Sequence, residues 1–353
     1  MADSSQVPPR RRNVLRLGAA TALGGLGLLP SRVAAAPAGG GGPLAERGRS
    51  ALSVARRGLL TDQRLRHRTV LQSFAFDERA RRVYALQVVQ SGVRLPGEQR
   101  GYSHRERLVR GDLCLNALSI QGDPVGRMYL RGFGHGGAIG AQETPGEGLT
   151  LWTEWDAHPT SGYGTALARF RFRDGAVLER SDPGLHTYRA LPGTTKNQLA
   201  LDAYGRRLLL RYRRDGQYRF ALYDLDRFLA RDFHALTDFP QPNPQRHDYF
   251  QGMALYGNYA YQLTSSAYGP SGPDATLLTC VHLGSRRIVQ QVCPARAAGV
   301  GTCEPEGLAV LARPTPRLCV GLASPFARVR LFSLFSTDLR RSPDVLRLGL
   351  ETH

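Results

Sequence analysis

The sequence predicts an all-β fold, a five-bladed β-propeller, on three observations. A short segment recurs five times: Gln72-Ser-Phe-Ala-Phe-Asp77, His135-Gly-Gly-Ala-Ile-Gly140, Asn197-Gln-Leu-Ala-Leu-Asp202, Gln251-Gly-Met-Ala-Leu-Tyr256 and Glu306-Gly-Leu-Ala-Val-Leu311. Each copy has a polar residue first, alanine fourth and an apolar residue fifth, and the copies start 63, 62, 54 and 55 residues apart. A second strand-like run follows each copy, at 83–88, 149–154, 208–212, 259–264 and 318–323. No long amphipathic helical pattern separates the units. Regularly spaced short strands with turn signals between them are the pattern of a propeller. A β-sandwich with coincidental similarity is the alternative.

The stretch from Gly132 to Phe172 shows one unit most clearly. Gly134-His135-Gly136 leads into Ala138-Ile139, and Pro145-Gly146 makes a turn. Leu149 to Trp155 then alternates, Ser161-Gly162-Tyr163-Gly164 turns again, and Ala166 to Phe172 closes the unit. Strand, turn, strand, loop, strand is most of one antiparallel blade. Two other copies match further into the hairpin: Ala75-Phe-Asp-Glu-Arg-Ala-Arg-Arg-Val83 and Ala200-Leu-Asp-Ala-Tyr-Gly-Arg-Arg-Leu208.

From the N-terminus, residues 1–38 read as a targeting segment. Arg10-Arg11-Arg12-Asn13-Val14-Leu15-Arg16 precedes an apolar Gly/Ala-rich run from Leu17 to Leu29, and Val33-Ala34-Ala35-Ala36 supplies small residues for cleavage. Basic, apolar and small-residue regions in that order define an export signal, and the paired arginines give it twin-arginine character. The apolar run is shorter than the ~20 residues a spanning helix needs. The expectation is a secreted, extracellular protein with no stable membrane insertion after cleavage. Residues 39–64 read as a linker and short N-terminal segment with weak helical character over Glu46–Leu60. The propeller is expected over 65–353.

The chain has 353 residues and a formal charge of +18, and Lys196 is its one lysine. A basic surface concentrates polyanions, and arginine suits phosphate and carboxylate. Outside the cytoplasm those polyanions are wall phosphate polymers, acidic polysaccharides and lipid headgroups. No nucleic-acid recognition motif is present, and export argues against a nucleic-acid partner. The five cysteines include Cys114, expected as a buried apolar residue. Cys280–Cys293 and Cys303–Cys319 are the pairs expected for disulfides in an oxidising compartment. Their spacing does not match a zinc site, so no metal and no cofactor is expected.

The inner strand of a propeller blade lines the central channel. The expected ligand-binding ring is therefore Gln72, His135, Asn197, Gln251 and Glu306, with Ala75, Ala138, Ala200, Ala254 and Ala309 letting five strands converge. Polar residues in such places also serve to bond neighbouring loop backbone. The glycines around His135 favour close approach of another group. A second set adds Glu154, Asp156 and Tyr163, with Trp152 as core. Tyr268 is expected at the same rim, and Arg211 as an anion contact entering the funnel.

Several of these motifs carry a family resemblance. They are Gln72-Ser-Phe-Ala-Phe-Asp77, Gly111-Asp-Leu-Cys-Leu115, Met128-Tyr-Leu-Arg-Gly-Phe-Gly-His-Gly136, Leu151-Trp-Thr-Glu-Trp-Asp156, Ser161-Gly-Tyr-Gly164, Phe250-Gln-Gly252 and Glu304-Pro-Glu-Gly307. The chain resembles the secreted actinobacterial proteins labelled teichoic acid biosynthesis protein C. These share a propeller with phage receptor-binding and baseplate proteins and are related to the helveticin J bacteriocins. The resemblance implies a five-bladed propeller and, through the phage relatives, binding of wall teichoic acid. It supplies no catalytic residue.

Three function classes compete. One is a binding module for an anionic cell-surface glycopolymer, held in the funnel. Another is a glycan-cleaving enzyme in the same funnel. As a hydrolase it would draw its paired carboxylates from Glu154, Asp156 and Glu306, and as a lyase it would use His135, Tyr163 and Arg211. The third is an envelope scaffold or bacteriocin-like protein.

Overall fold

The computed structural model describes residues 57–144, 146–242, 249–265, 272–297, 301–325 and 330–339. The expected export signal, most of the expected linker and Tyr268 lie outside the described residues. Strand β1 (Arg57–Arg64) comes first but belongs to the last blade. Blade one contains β2 (Leu71–Asp77), β3 (Arg82–Val88), β4 (Leu113–Ser119) and β5 (Pro124–Leu130), with helix α1 (His104–Arg110) before β4. Blade two has β6 (Ile139–Thr144), β7 (Gly148–Ala157) and β8 (Gly164–Phe170). The chain then adds β9 (Val177–Leu178) in parallel to β5 of blade one, and β10 (His186–Tyr188) to the outer edge of blade two.

Blade three is β11 (Thr195–Asp202), β12 (Arg207–Arg214), β13 (Gln217–Asp224) and β14 (Thr237–Pro240). Blade four is β15 (Tyr249–Tyr256), β16 (Tyr259–Ser265), β17 (Thr276–His282) and β18 (Arg287–Val292). Blade five is β19 (Glu304–Leu311), β20 (Arg317–Ala323) and β21 (Leu331–Asp338), completed by β1. The propeller therefore begins at least as early as Arg57, not at residue 65, and residues 57–60 are strand rather than helix. β1 pairs antiparallel with β21, so the first and last strands among the described residues share one sheet and no edge of β21 is left open on that side.

β2, β6, β11, β15 and β19 each pack against the next, and β19 packs against β2, which closes the ring. An apolar cluster fills each gap between blades. One contains Leu86, Leu115, Phe133, Leu151 and Phe170, from blades one and two. Another joins Leu60 and Phe332 to Phe74 and Val83, from blades five and one. Trp152 is fully buried and its indole N–H donates to Gln142 Oε1 at 2.8 Å. Strand alternation puts one side-chain set on each face of a blade, so every blade packs on both sides.

The hairpins show how sequence becomes register. The Asp77 carboxylate accepts from the Ala80 N–H at 2.9 Å, and Asp202 accepts from Gly205 N–H at 2.7 Å. Arg81 and Arg206 then take left-handed φ of 53° and 49°. The matched copies at 75–83 and 200–208 encode one turn. The leading polar residue of four copies has a structural meaning too. Gln72, Asn197, Gln251 and Glu306 each lie in a register shift of their inner strand. A β-bulge leaves a residue out of the ladder, and these four are among the residues left out, with Lys196 beside Asn197 and Gly307 beside Glu306.

The expected disulfides are not formed: all five cysteines are free. Cys303 packs in the cluster between blades four and five, whereas Cys319 packs between five and one, on the other face of the blade. Cys280 lies opposite Gln290 in the sheet, and Cys293 falls beyond the end of β18. Cys114 is buried in β4, as expected.

Candidate functional site on the leading face

The inner strands begin at one face of the propeller and turn at the other. At the leading face the heads of neighbouring copies approach one another. Ser73 Oγ donates to the Gly136 carbonyl at 2.6 Å, and Gly252 lies against Gly307, which lies against Ser73. Gly137 lies against the amide of Gln198.

Blade two departs from the other four. Its inner ladder starts at Ile139, four residues after His135, so Gly134 to Ala138 run outside the ladder. Glu154, on β7, takes the place of the missing strand partner. Its carboxylate accepts from the backbone N–H of His135 at 3.2 Å, Gly137 at 3.0 Å and Gly164 at 3.0 Å. A Cβ on Gly134 would come within 2.6 Å of Glu154 Cβ, and one on Gly164 within 2.7 Å. Gly134 and Gly164 leave room for this close approach, whereas Gly136 packs against Leu113 and Gly137 against the Gln198 amide. Burial pushes the Glu154 carboxyl above its ordinary range, against the pull of those N–H bonds.

The Gly-rich segment holds His135 with its ring stacked on Tyr163, centroids 4.6 Å apart and planes 26° apart. Burial, then the charges of Lys196 and His104, push the imidazole down to about 4, so it is neutral near pH 7. Lys196 Nζ lies 4.4 Å from the Tyr163 ring centre and donates to the Tyr218 hydroxyl at 2.9 Å. Lys196 sits in the bulge of β11 with a left-handed φ of 55°. Burial tends to raise the Tyr218 phenol, but the Lys196 bond and the charges of Arg211, Lys196 and Arg213 outweigh it and lower it.

Arg211 is not at the rim. Its side chain is buried between the rings of Tyr218 and Phe250, at 4.0 and 3.8 Å from their centres. It donates to Gln198 Oε1 at 2.7 Å and Gln241 Oε1 at 2.8 Å. Burial pushes the guanidinium down to about 10. Gln198 in turn reaches Glu154 Oε1 at 3.5 Å. The neutral amide of Gln198 therefore separates the buried cation from the buried carboxylate.

Of the residues expected from sequence, His135, Glu154, Tyr163 and Arg211 come together here. Gln72 is buried beside Gly136, and Gln251 follows Phe250 in its strand. Asn197 is buried and its side-chain oxygen accepts from Thr194 Oγ1 at 3.1 Å. Glu306 is buried, and burial, then the charge of Glu304, lifts its carboxyl well above the ordinary range. Asp156 is turned away, with its carboxylate engaged by Arg180, Arg189 and Thr165. The sequence reading missed Lys196, Gln198 and Tyr218. The signal for Lys196 was its being the one lysine in a chain of arginines.

A cavity of about 710 Å³ opens at the opposite, hairpin face. Ala75, Ala200, Ala254 and Ala309 line it, and blade two contributes Ala141 rather than Ala138 because of its displaced ladder. Its rim carries Glu78, Arg79, Glu143, Tyr204 and Arg313. The leading polar residues are not among its lining.

Residues 70–269 match the family model described as the phage five-bladed β-propeller receptor-binding platform domain. A Bacillus subtilis (strain 168) protein named major teichoic acid biosynthesis protein C is 28% identical over 237 residues. The match covers 66% of this chain and 49% of that protein, so the chain spans about half the length of this curated relative. The tail fiber of Staphylococcus aureus phage P68 has a similar fold, with a TM-score of 0.57 at 15% identity. That likeness covers 80% of this chain and 52% of the tail fiber.

Proposed function

The chain belongs to the phage five-bladed β-propeller receptor-binding platform family, and from that premise we propose that it binds a cell-surface glycopolymer. The polymer is anionic, in the manner of wall teichoic acid, and seats on the leading face of the axis. One observation carries the reading: the His135–Tyr163 stack with the Lys196 ammonium beside it. The aromatic pair offers a flat apolar surface for a sugar ring, and the cation offers a contact for an acidic group. The polymer's name comes from the relative, and the strongly basic composition supports it. We also propose that residues 1–38 export the protein by the twin-arginine route, which puts it in the compartment where such polymers lie.

A glycan-cleaving reading is less well supported. Glu154 is held by three backbone N–H groups, Asp156 is engaged by two arginines, and Glu306 is buried. None of these carboxylates is free to work as one of a mobile acid–base pair. The test is retention of the protein on intact cell walls compared with walls stripped of their anionic polymer. Equal retention on both overturns the reading. Shortening of the soluble polymer with time would favour the enzyme instead.

A further inference from the structure

Lys196 and Arg211 bring two positive charges against one ring, Tyr218. The other buried arginines here have carboxylate partners. Arg107 pairs with Glu98 and Asp112, Arg169 with Glu147, and Arg207 with Asp202. Among the described residues neither Lys196 nor Arg211 forms an ion pair, and the bonded partners of Arg211 are the neutral amides of Gln198 and Gln241. A buried charge without a counter-charge is costly. Glu154 is the nearest carboxylate through the hydrogen-bond chain, but it is one amide removed and already accepts three backbone N–H bonds.

The two cations differ in access. Arg211 is 3% exposed and clamped between two rings, so its guanidinium fork has no room to grip a ligand. Lys196 is only partly buried, and its backbone leaves the ladder at a bulge in the left-handed region. An ammonium acts as a point charge that suits phosphate without needing the bidentate geometry of an arginine. Tyr218 accepts the Lys196 hydrogen bond and keeps its own O–H to donate.

We propose that Lys196 and Tyr218 form a subsite for one phosphate group of an anionic chain, with buried Arg211 as a positioning residue that fixes Tyr218 and adds charge without touching the ligand. The stacked His135–Tyr163 pair flanks the subsite and receives the neighbouring sugar or polyol. This inference rests on the glycopolymer reading for its source of phosphate, but the anion site stands on its own geometry.

The single lysine provides the test. The chain labelled biosynthetically with ¹³C,¹⁵N-lysine gives one lysine side-chain signal by NMR, and this is titrated with poly(glycerol phosphate), glycerol 1-phosphate and neutral dextran. Saturable shifts with both phosphates and none with dextran are expected. Lys196→Gln should weaken poly(glycerol phosphate) binding about tenfold at 0.1 M salt, equivalent to about 1.4 kcal/mol, and flatten its salt dependence. If calorimetry shows polymer binding while the lysine signal stays fixed, the subsite is wrong and the glycopolymer reading stands. If glycerol 1-phosphate moves the signal but the polymer does not bind, the subsite stands and the glycopolymer reading fails. A signal indifferent to every phosphate overturns the subsite.

Discussion

Ser73 Oγ donates to the carbonyl oxygen of Gly136 at 2.6 Å, from the inner strand of blade one to the irregular segment of blade two. This bond ties blade one to the blade that breaks the pattern. Ser73→Ala would leave the Gly136 carbonyl without that donor in a buried place. A loss of about 1–3 kcal/mol in unfolding free energy is expected, read from urea denaturation. An unchanged midpoint would mean that the inner ring is held by packing alone.

Closure of the ring makes a second prediction. Leu60 lies on β1, is 3% exposed and packs with Phe332 and Leu334. It lies before the start of the family match at residue 70. Leu60→Ala should nonetheless cost about 2–5 kcal/mol. Deleting residues 57–64 should expose the edge of β21 and promote association, visible by light scattering. A deletion variant that stays monomeric with unaltered stability would show that β1 is dispensable.

Glu306 predicts a pH dependence. Burial, then the charge of Glu304, raises its folded-state pKa well above the ordinary 4.5, while Arg330 opposes. Below the ordinary value the carboxyl is protonated in both states and contributes no pH dependence. As pH rises above it, the unfolded chain releases the proton first, so the folded state loses relative stability up to the raised value. Glu306→Gln should therefore flatten the decline that sets in as pH rises above 4.5. Parallel stability curves for wild type and variant would contradict the shift.

Ligand affinity should separate contact from steering. His135→Ala removes the ring stacked on Tyr163 and should weaken polymer binding by about 0.5–1.5 kcal/mol at low and high salt alike. Gln251→Ala, at the bulge of β15, should act in the same way. Arg213→Ala, on the exposed end of β12, should matter mainly at low salt, since the Debye length falls from ~10 Å at 0.1 M to ~3 Å at 1 M. Calorimetry at the two salts tests all three. Ring variants with wild-type affinity at both salts would move the site off the axis.

The sequence by itself determined the repeat, and the repeat determined the blades. Spacing between copies is a local property of the chain, and Asp77 and Asp202 cap their turns with their own neighbours. The polar residue at the head of each copy was also visible, and in four of the five copies it falls in a bulge of the inner strand. The sequence did not disclose that Arg57–Arg64 completes the last blade, because that pairing joins residues 267 to 279 positions apart. Nor did it separate Cys303 from Cys319, since opposite faces of one sheet look alike along the chain.

The candidate site divides in the same way. His135 and its glycines announced themselves, since a glycine run beside a histidine signals close approach. The tertiary structure alone decided which atoms approach, placing the Glu154 carboxylate under the His135 and Gly137 N–H groups. It also moved Arg211 inside, because the rings of Tyr218 and Phe250 close over it from two different blades. Lys196 was left as the accessible cation, set by a bulge geometry and by the Tyr163 and Tyr218 rings around it. Local pattern fixes what a residue is paired with in its own hairpin. Charge balance and access depend on neighbours brought together only when the ring of blades closes.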